Sequence, residues 1–196
     1  MKKSVIVLLV VGVLLLLLCG TGCSKYNTMV TEQENVEQAW ANVNTQYQRR
    51  ADLIPNLVET VKGYATHESQ TLQNVTEARA KVGTISLSVD SLDEASLQRY
   101  TQAQNQLSAA LKSLLSVTEA YPDLKANENF MRFQDELAGT ENRIQVARKD
   151  FNHAAQAYNT LIRRFPTNIF ASFFGFKVKP YFQASEGADI APTMKF

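Results

Sequence analysis

Apolar residues fall into two regimes along this chain. Residues 5–22 form one uncharged, largely apolar run, whereas after residue 31 apolar positions recur at spacings of three and four. The first such segment reads Val36, Trp40, Val43, Tyr47, Ile54, Val58, Val61 and Ala65, and continues through Leu72 and Val75. A second runs Leu97, Tyr100, Gln104, Leu107, Leu111, Leu114 and Thr118, and a third Phe130, Phe133, Leu137, Thr140, Ile144, Ala147, Phe151, Ala154, Tyr158, Leu161 and Phe165. Spacings of three and four put each set on one helix face, which must be buried against other helices. Between the first two sets, "VGTISLSVDSLD" combines a glycine, β-branched residues and serines and predicts a loop, with Ser91 or Asp93 placed to cap the helix that follows. "YPDLK" ends the second helix, because Pro122 has no amide donor and drives Tyr121 out of the α region. Apart from the short "TISLSV", no alternating strand pattern occurs. The expected fold is all-α, an up-and-down antiparallel four-helix bundle with long, partly kinked helices behind an N-terminal hydrophobic anchor.

The first long segment carries its own candidate breaks. Pro55 in a helix interior costs about 3 kcal/mol, while burial of Ile54, Leu57 and Val58 returns roughly 1.5–3 kcal/mol each. A kinked but continuous helix is therefore affordable. Alternatively Asp52 is an N-cap, which makes the missing amide of Pro55 harmless, or the break lies at Gly63 or Thr66 with Glu68 near a new start. The pattern leaves these open.

The apolar run of eighteen residues spans about 27 Å as a helix, against a hydrocarbon core of about 30 Å. It is at or beyond the upper length of a cleaved signal. An uncleaved anchor is the first expectation. The alternative is a lipoprotein signal, cleaved before Cys23 and replaced by acyl chains on its sulfur. Gly20, Thr21 and Gly22 suit such a peptidase, but the usual leucine three places upstream is missing. Lys2 and Lys3 against Glu32, Glu34 and Glu37 beyond the run keep the start cytoplasmic and place the body outside the inner membrane. The chain thus divides into an anchor or lipoprotein signal at residues 1–24, a helical body at 25–183 and a polar tail at 184–196, expected to be disordered.

Charge and cysteine content narrow the function. With Lys2 and Lys3 set aside, 18 basic against 19 acidic residues leave a formal charge of −1, which argues against a nucleic-acid partner. Cys19 and Cys23 both fall in or just after the apolar run, so the body has no thiol for a disulfide, a nucleophile or a metal. His67 and His153 have no second histidine at ligand spacing, "HES" is not HExxH, and neither has a glutamate three residues before it. No phosphate-binding glycine loop occurs. No cofactor, metal or catalytic residue is expected, and the chain reads as no enzyme.

Two stretches stand out. "RRADLIPNLVETVKGYATHE", residues 49–68, holds Arg49, Arg50, Asp52, Asn56, Glu59, Lys62 and Glu68, a dense polar set in which Asn56, Glu59 and Lys62 share a helix face. It is either a solvated face beside a kink or a partner face. "FPTNIFASFFGFKVKPYFQ" carries Phe170, Phe173, Phe174, Phe176, Tyr181 and Phe182, which either pack back on the bundle or form an aromatic patch for a partner or a membrane interface.

The first of these stretches, together with "YPDLKA" (121–126), "ARKDFN" (147–152), "YNTLIRRFP" (158–166), Gly175-Phe176, "YNTMV" (26–30) and "AW" at Ala39 and Trp40, resembles the LemA family. The resemblance runs from Tyr26 to Phe182. It implies a membrane-attached bacterial helical bundle of the four-helix type whose biochemical activity is not established. Cys23 at the end of the anchor departs from the commoner pattern. The functional expectation is a membrane-tethered, non-enzymatic interaction module of the bacterial envelope, with other envelope proteins as partners. The alternative is a ligand-sensing bundle with a small-molecule pocket where Pro55 and Gly63 open the helix packing.

Overall fold

The computed structural model describes residues 3–183. Six helices follow one another: α1 (Lys3–Lys62), α2 (Ser69–Gly83), α3 (Glu94–Val117), α4 (Pro122–Lys125), α5 (Glu128–Arg163) and α6 (Thr167–Phe174), with a 3₁₀ turn at Thr118–Ala120 between α3 and α4. No strand occurs among the described residues, as the periodicity implied.

Helix ends have local causes. Asp93, not Ser91, caps α3 in a reciprocal box: its carboxylate accepts from the Ser96 amide at 2.7 Å while the Ser96 hydroxyl accepts from the Asp93 amide at 3.0 Å. Asn127 caps α5 by accepting from the Phe130 amide at 3.1 Å. Gly175, with φ of +78°, closes α6 in the left-handed conformation that a side chain would disfavour. Of the three candidate breaks in the first segment, the one at Gly63 to Glu68 is used. Asp52 does not cap a helix: α1 continues through Pro55 without a break.

α1 and α5 run antiparallel, since Trp40 packs on Phe151 with ring centroids 5.5 Å apart whereas Arg50, further along α1, meets Glu141, earlier on α5, at 2.9 Å. α3 runs in the same direction as α1 and reaches it through long side chains, pairing Tyr47 with Tyr100 and Arg50 with Gln104 and Ser108. α2 returns between them. Two apolar clusters result. One gathers Met29, Val36, Trp40, Val43, Tyr47, Tyr100, Ile144, Phe151, Tyr158 and Ile162. The other gathers Ile54, Leu57, Val61, Leu72, Val75, Leu107, Leu111, Leu114, Leu124, Phe130 and Leu137.

The third stripe holds through Phe151 and keeps Tyr158 buried, but around Tyr158 the most buried positions move on by one. Ala155 and Ile162 are buried where Ala154 and Leu161 were expected, because 3.6 residues per turn drift against a strict heptad. Phe165 is 81% exposed, α5 having ended two residues earlier.

Among the described residues no helix is long and apolar enough to cross a membrane. The backbone of α1 is helical through residues 5–22, but most side chains of that run lie outside the description, and the anchor expectation falls on them. The polar tail 184–196 also lies outside the described residues.

Candidate interaction surfaces

A buried polar layer separates the two apolar clusters. Arg50 is only 2% exposed, so it does not belong to the outward face on which the sequence reading placed it. Its guanidinium donates to Ser108 Oγ at 2.7 Å, to Glu141 Oε2 at 2.9 Å and to Gln104 Oε1, and it lies 5.3 Å over the Tyr47 ring. Gln104 is buried with it, and Thr140, buried next to Glu141 in the chain, accepts from Arg143 at 2.9 Å. A guanidinium with donors in a fixed fork is suited to joining three helices in this way. Burial pushes the phenol of Tyr47, next to this layer, up to about 12, against the lowering pull of Arg148 and Arg50.

Pro55 leaves the Ala51 carbonyl without its usual amide donor four residues on. Arg79 of α2 fills the gap, its Nε donating to Ala51 O at 2.9 Å. One side chain thereby repairs the proline's defect and fastens α2 to α1.

The remaining residues of the candidate partner face are divided. Arg49, Asp52, Asn56, Glu59 and Lys62 are exposed along α1. Their internal pairing is light: Gln48 donates to Asp52 at 2.7 Å, and Lys62 sits 3.9 Å from Glu59, a solvent-screened pair. Glu68 serves the fold instead, accepting from the Tyr121 hydroxyl at 3.1 Å and tying the α1–α2 turn to the start of α4. A cleft of about 400 Å³ lies nearby, lined by Asn44, Tyr47, Arg79, Leu87, Tyr100 and Gln104 among others. Neither Pro55 nor Gly63 lines it.

The aromatic stretch also splits. Phe182 is buried, stacked on Trp40 at 6.1 Å, set against Phe151 at 5.4 Å and covered by the Arg148 guanidinium at 4.7 Å. Phe170 and Phe176 are half-buried, whereas Phe173, Phe174 and Tyr181 are exposed. After α6 the chain runs extended over α5 as a strap, held by two asparagines. Asn159 donates to Lys179 O and accepts from the Lys179 amide, both at 2.8 Å; Asn152 does the same to Phe182 at 2.9 and 2.8 Å. Lys179 is itself buried, its ammonium donating to Val89 O at 2.8 Å. Burial pulls its pKa down, opposed by Asp90 and Glu37.

A family model described as "LemA family" matches residues 39–196, the greater part of the chain. The chain belongs to the LemA family. Among its relatives are Magnetosome protein MamQ 2 of Paramagnetospirillum magneticum, 29% identical over 182 aligned residues that cover 84% of this chain and 67% of the relative. Protein LemA of Metamycoplasma hominis is 26% identical over 160, covering 82% and 69%. Magnetosome protein MamQ of Magnetospirillum gryphiswaldense is 26% identical over 182, covering 84% and 67%. None of these names states a reaction. The LemA motifs now have structural duties: "ARKDFN" supplies Arg148 and Asn152, and "YNTLIRRFP" supplies Asn159, all of which hold the strap.

Sequence reasoning missed the buried layer, although it left a signal, and it anticipated the strap only as aromatic residues packing back on the bundle. Arg50 sits at the three-four spacing between Tyr47 and Ile54, so it lies on the core stripe; Gln104 and Thr140 occupy the matching places on their own stripes.

Proposed function

We propose that this LemA-family protein is a membrane-tethered, non-enzymatic scaffold of the bacterial envelope, which holds a polar face away from the lipid for other envelope proteins to bind. The observation that carries this reading is the continuity of α1. A single helix of 60 residues leads from the apolar run to the exposed set at Arg49, Asp52, Asn56, Glu59 and Lys62. At 1.5 Å per residue it is about 90 Å long. α2, α3 and α5 clamp its outer part as an up-and-down four-helix bundle, so motion at the anchor is transmitted to the face rather than absorbed in a hinge. Attachment is through residues 5–22 as one inner-membrane span with the body outside the cytoplasm, or through acyl chains on Cys23, whose side chain is exposed.

The test is crosslinking and affinity capture from native membranes, comparing wild type with Asn56→Ala/Glu59→Ala. Both residues are exposed, so folding is expected to be unchanged while capture of specific partners falls. Undiminished capture of the same partners would return the face to plain solvated surface.

A second reading is supported by the cleft between α1, α2, α3 and the α2–α3 loop, where the Arg79 guanidinium offers donors to a small anionic ligand. A ligand there would raise the melting midpoint by mass action, and Arg79→Ala would abolish that rise.

A further inference from the structure

We infer that α6 and its flanks seat on the phospholipid surface, giving the protein a second membrane contact beside its anchor. This rests on the tether proposed above, and three observations carry it.

The first is position. α6 packs on α1 where the apolar run ends: the Phe170 ring lies so close to Gly22 that an added methyl carbon would stand 3.1 Å from it, and Tyr26 meets Phe174 at 4.9 Å and Phe176 at 5.8 Å. Whether the lipid attachment is the run ending at Gly22 or an acylated Cys23, it lies against the same helix.

The second is the outward face. Thr167 and Ala171 are buried against the body, while Phe165, Ile169 and Phe173 point away at 81%, 58% and 82% exposure. Residues four apart share a helix face, so Ile169 and Phe173 form an apolar ridge on α6, with Phe165 exposed in the turn that leads into it. Beside it Phe174 and Val178 are also exposed. A helix whose inner face is already satisfied has no internal reason to keep such a ridge, and aromatic side chains favour the boundary between headgroups and acyl chains.

The third is charge. Residues 163–178 hold Arg163, Arg164 and Lys177 and no acid, in a chain that is otherwise close to neutral. All three cations are exposed and bracket the ridge at both ends. Cations flanking apolar residues complement phosphate headgroups. A protein partner would not require this placement at the lipid end of α1; a bilayer does.

The test uses the full chain in vesicles of phosphatidylethanolamine and phosphatidylglycerol, with acyl chains brominated next to the headgroup. Phe173→Trp and Ile169→Trp place a reporter on the ridge, and Asn56→Trp places one at the far end of α1. Trp40, only 3% exposed, gives the same background in all three. Loss of emission in both ridge variants, relative to unbrominated vesicles, with none for Asn56→Trp, is the expected result. Variants that float with the vesicles yet keep full ridge emission would overturn the inference while leaving the tether intact. Unquenched emission, with a disulfide forming under mild oxidation between two copies of a Phe173→Cys variant, would assign the ridge to a second copy and also overturn it. Failure of the wild-type chain to float would defeat the tether reading itself.

Discussion

At the scale of single residues, two arginines perform tasks usually left to the backbone or to apolar packing. Arg79 replaces the amide that Pro55 lacks, and the pair should be energetically coupled. Arg79→Ala is expected to cost about 1–3 kcal/mol, because a part-buried carbonyl loses its donor. In a Pro55→Ala background the helix supplies that donor itself, and the cost should shrink by about 1 kcal/mol, measured as the coupling in a double-mutant cycle by urea unfolding. Additive losses would mean that the Arg79 contact does not compensate for the proline. Arg50 shows why residue roles were only partly legible. Its place on the stripe was in plain view, but arginine is rarely fully buried, so a surface role was the reasonable expectation. Its partners Gln104, Ser108 and Glu141 stand 54, 58 and 91 positions away, and no local pattern announces them.

At the scale of elements, periodicity was a good guide to which faces are buried and a poor one to where helices stop. The stripes through α1, α3 and the first half of α5 were readable because each apolar side chain meets a neighbouring helix. The drift after Phe151, which accumulates as 3.6 residues per turn run against a strict heptad, and the exposure of Phe165, which lies beyond the end of α5 at Arg163, were not, and neither was the non-helical strap that covers α5. That strap is matched to the helix by geometry. Asn152 and Asn159 are seven residues apart, about 10.5 Å along the axis, while Lys179 and Phe182 are three apart, about 9–10 Å in extended chain. Each asparagine amide can therefore pair with one peptide of the strap in both directions. Pro180, which lacks a donor, falls between the two pairs. Asn152→Ala and Asn159→Ala should each speed amide exchange across residues 176–183 while α1 to α3 stay protected, and each should cost about 1–3 kcal/mol. Unchanged protection would show that burial of Phe182 alone holds the strap.

At the scale of the whole molecule, the two apolar clusters, the polar layer between them and the strap all lie along α1. Its outer part is gripped on several sides, and its inner part leads to the apolar run. The all-helical character and the family were legible from spacing and motifs. The arrangement that gives them a use was not, because it depends on α1 continuing through Pro55 and on Arg79 making that possible. If α1 is a rigid support, position 56 stands 34 residues beyond Gly22, or roughly 50 Å from the lipid surface. The most direct test is energy transfer from a donor attached at residue 56 of the full chain to acceptor-labelled lipids in reconstituted vesicles. A height near 50 Å, unchanged when the lipid composition is varied, is the expected result. A donor lying close to the bilayer, or a protein that does not stay with the vesicles, would contradict the reading of this molecule as a tethered scaffold.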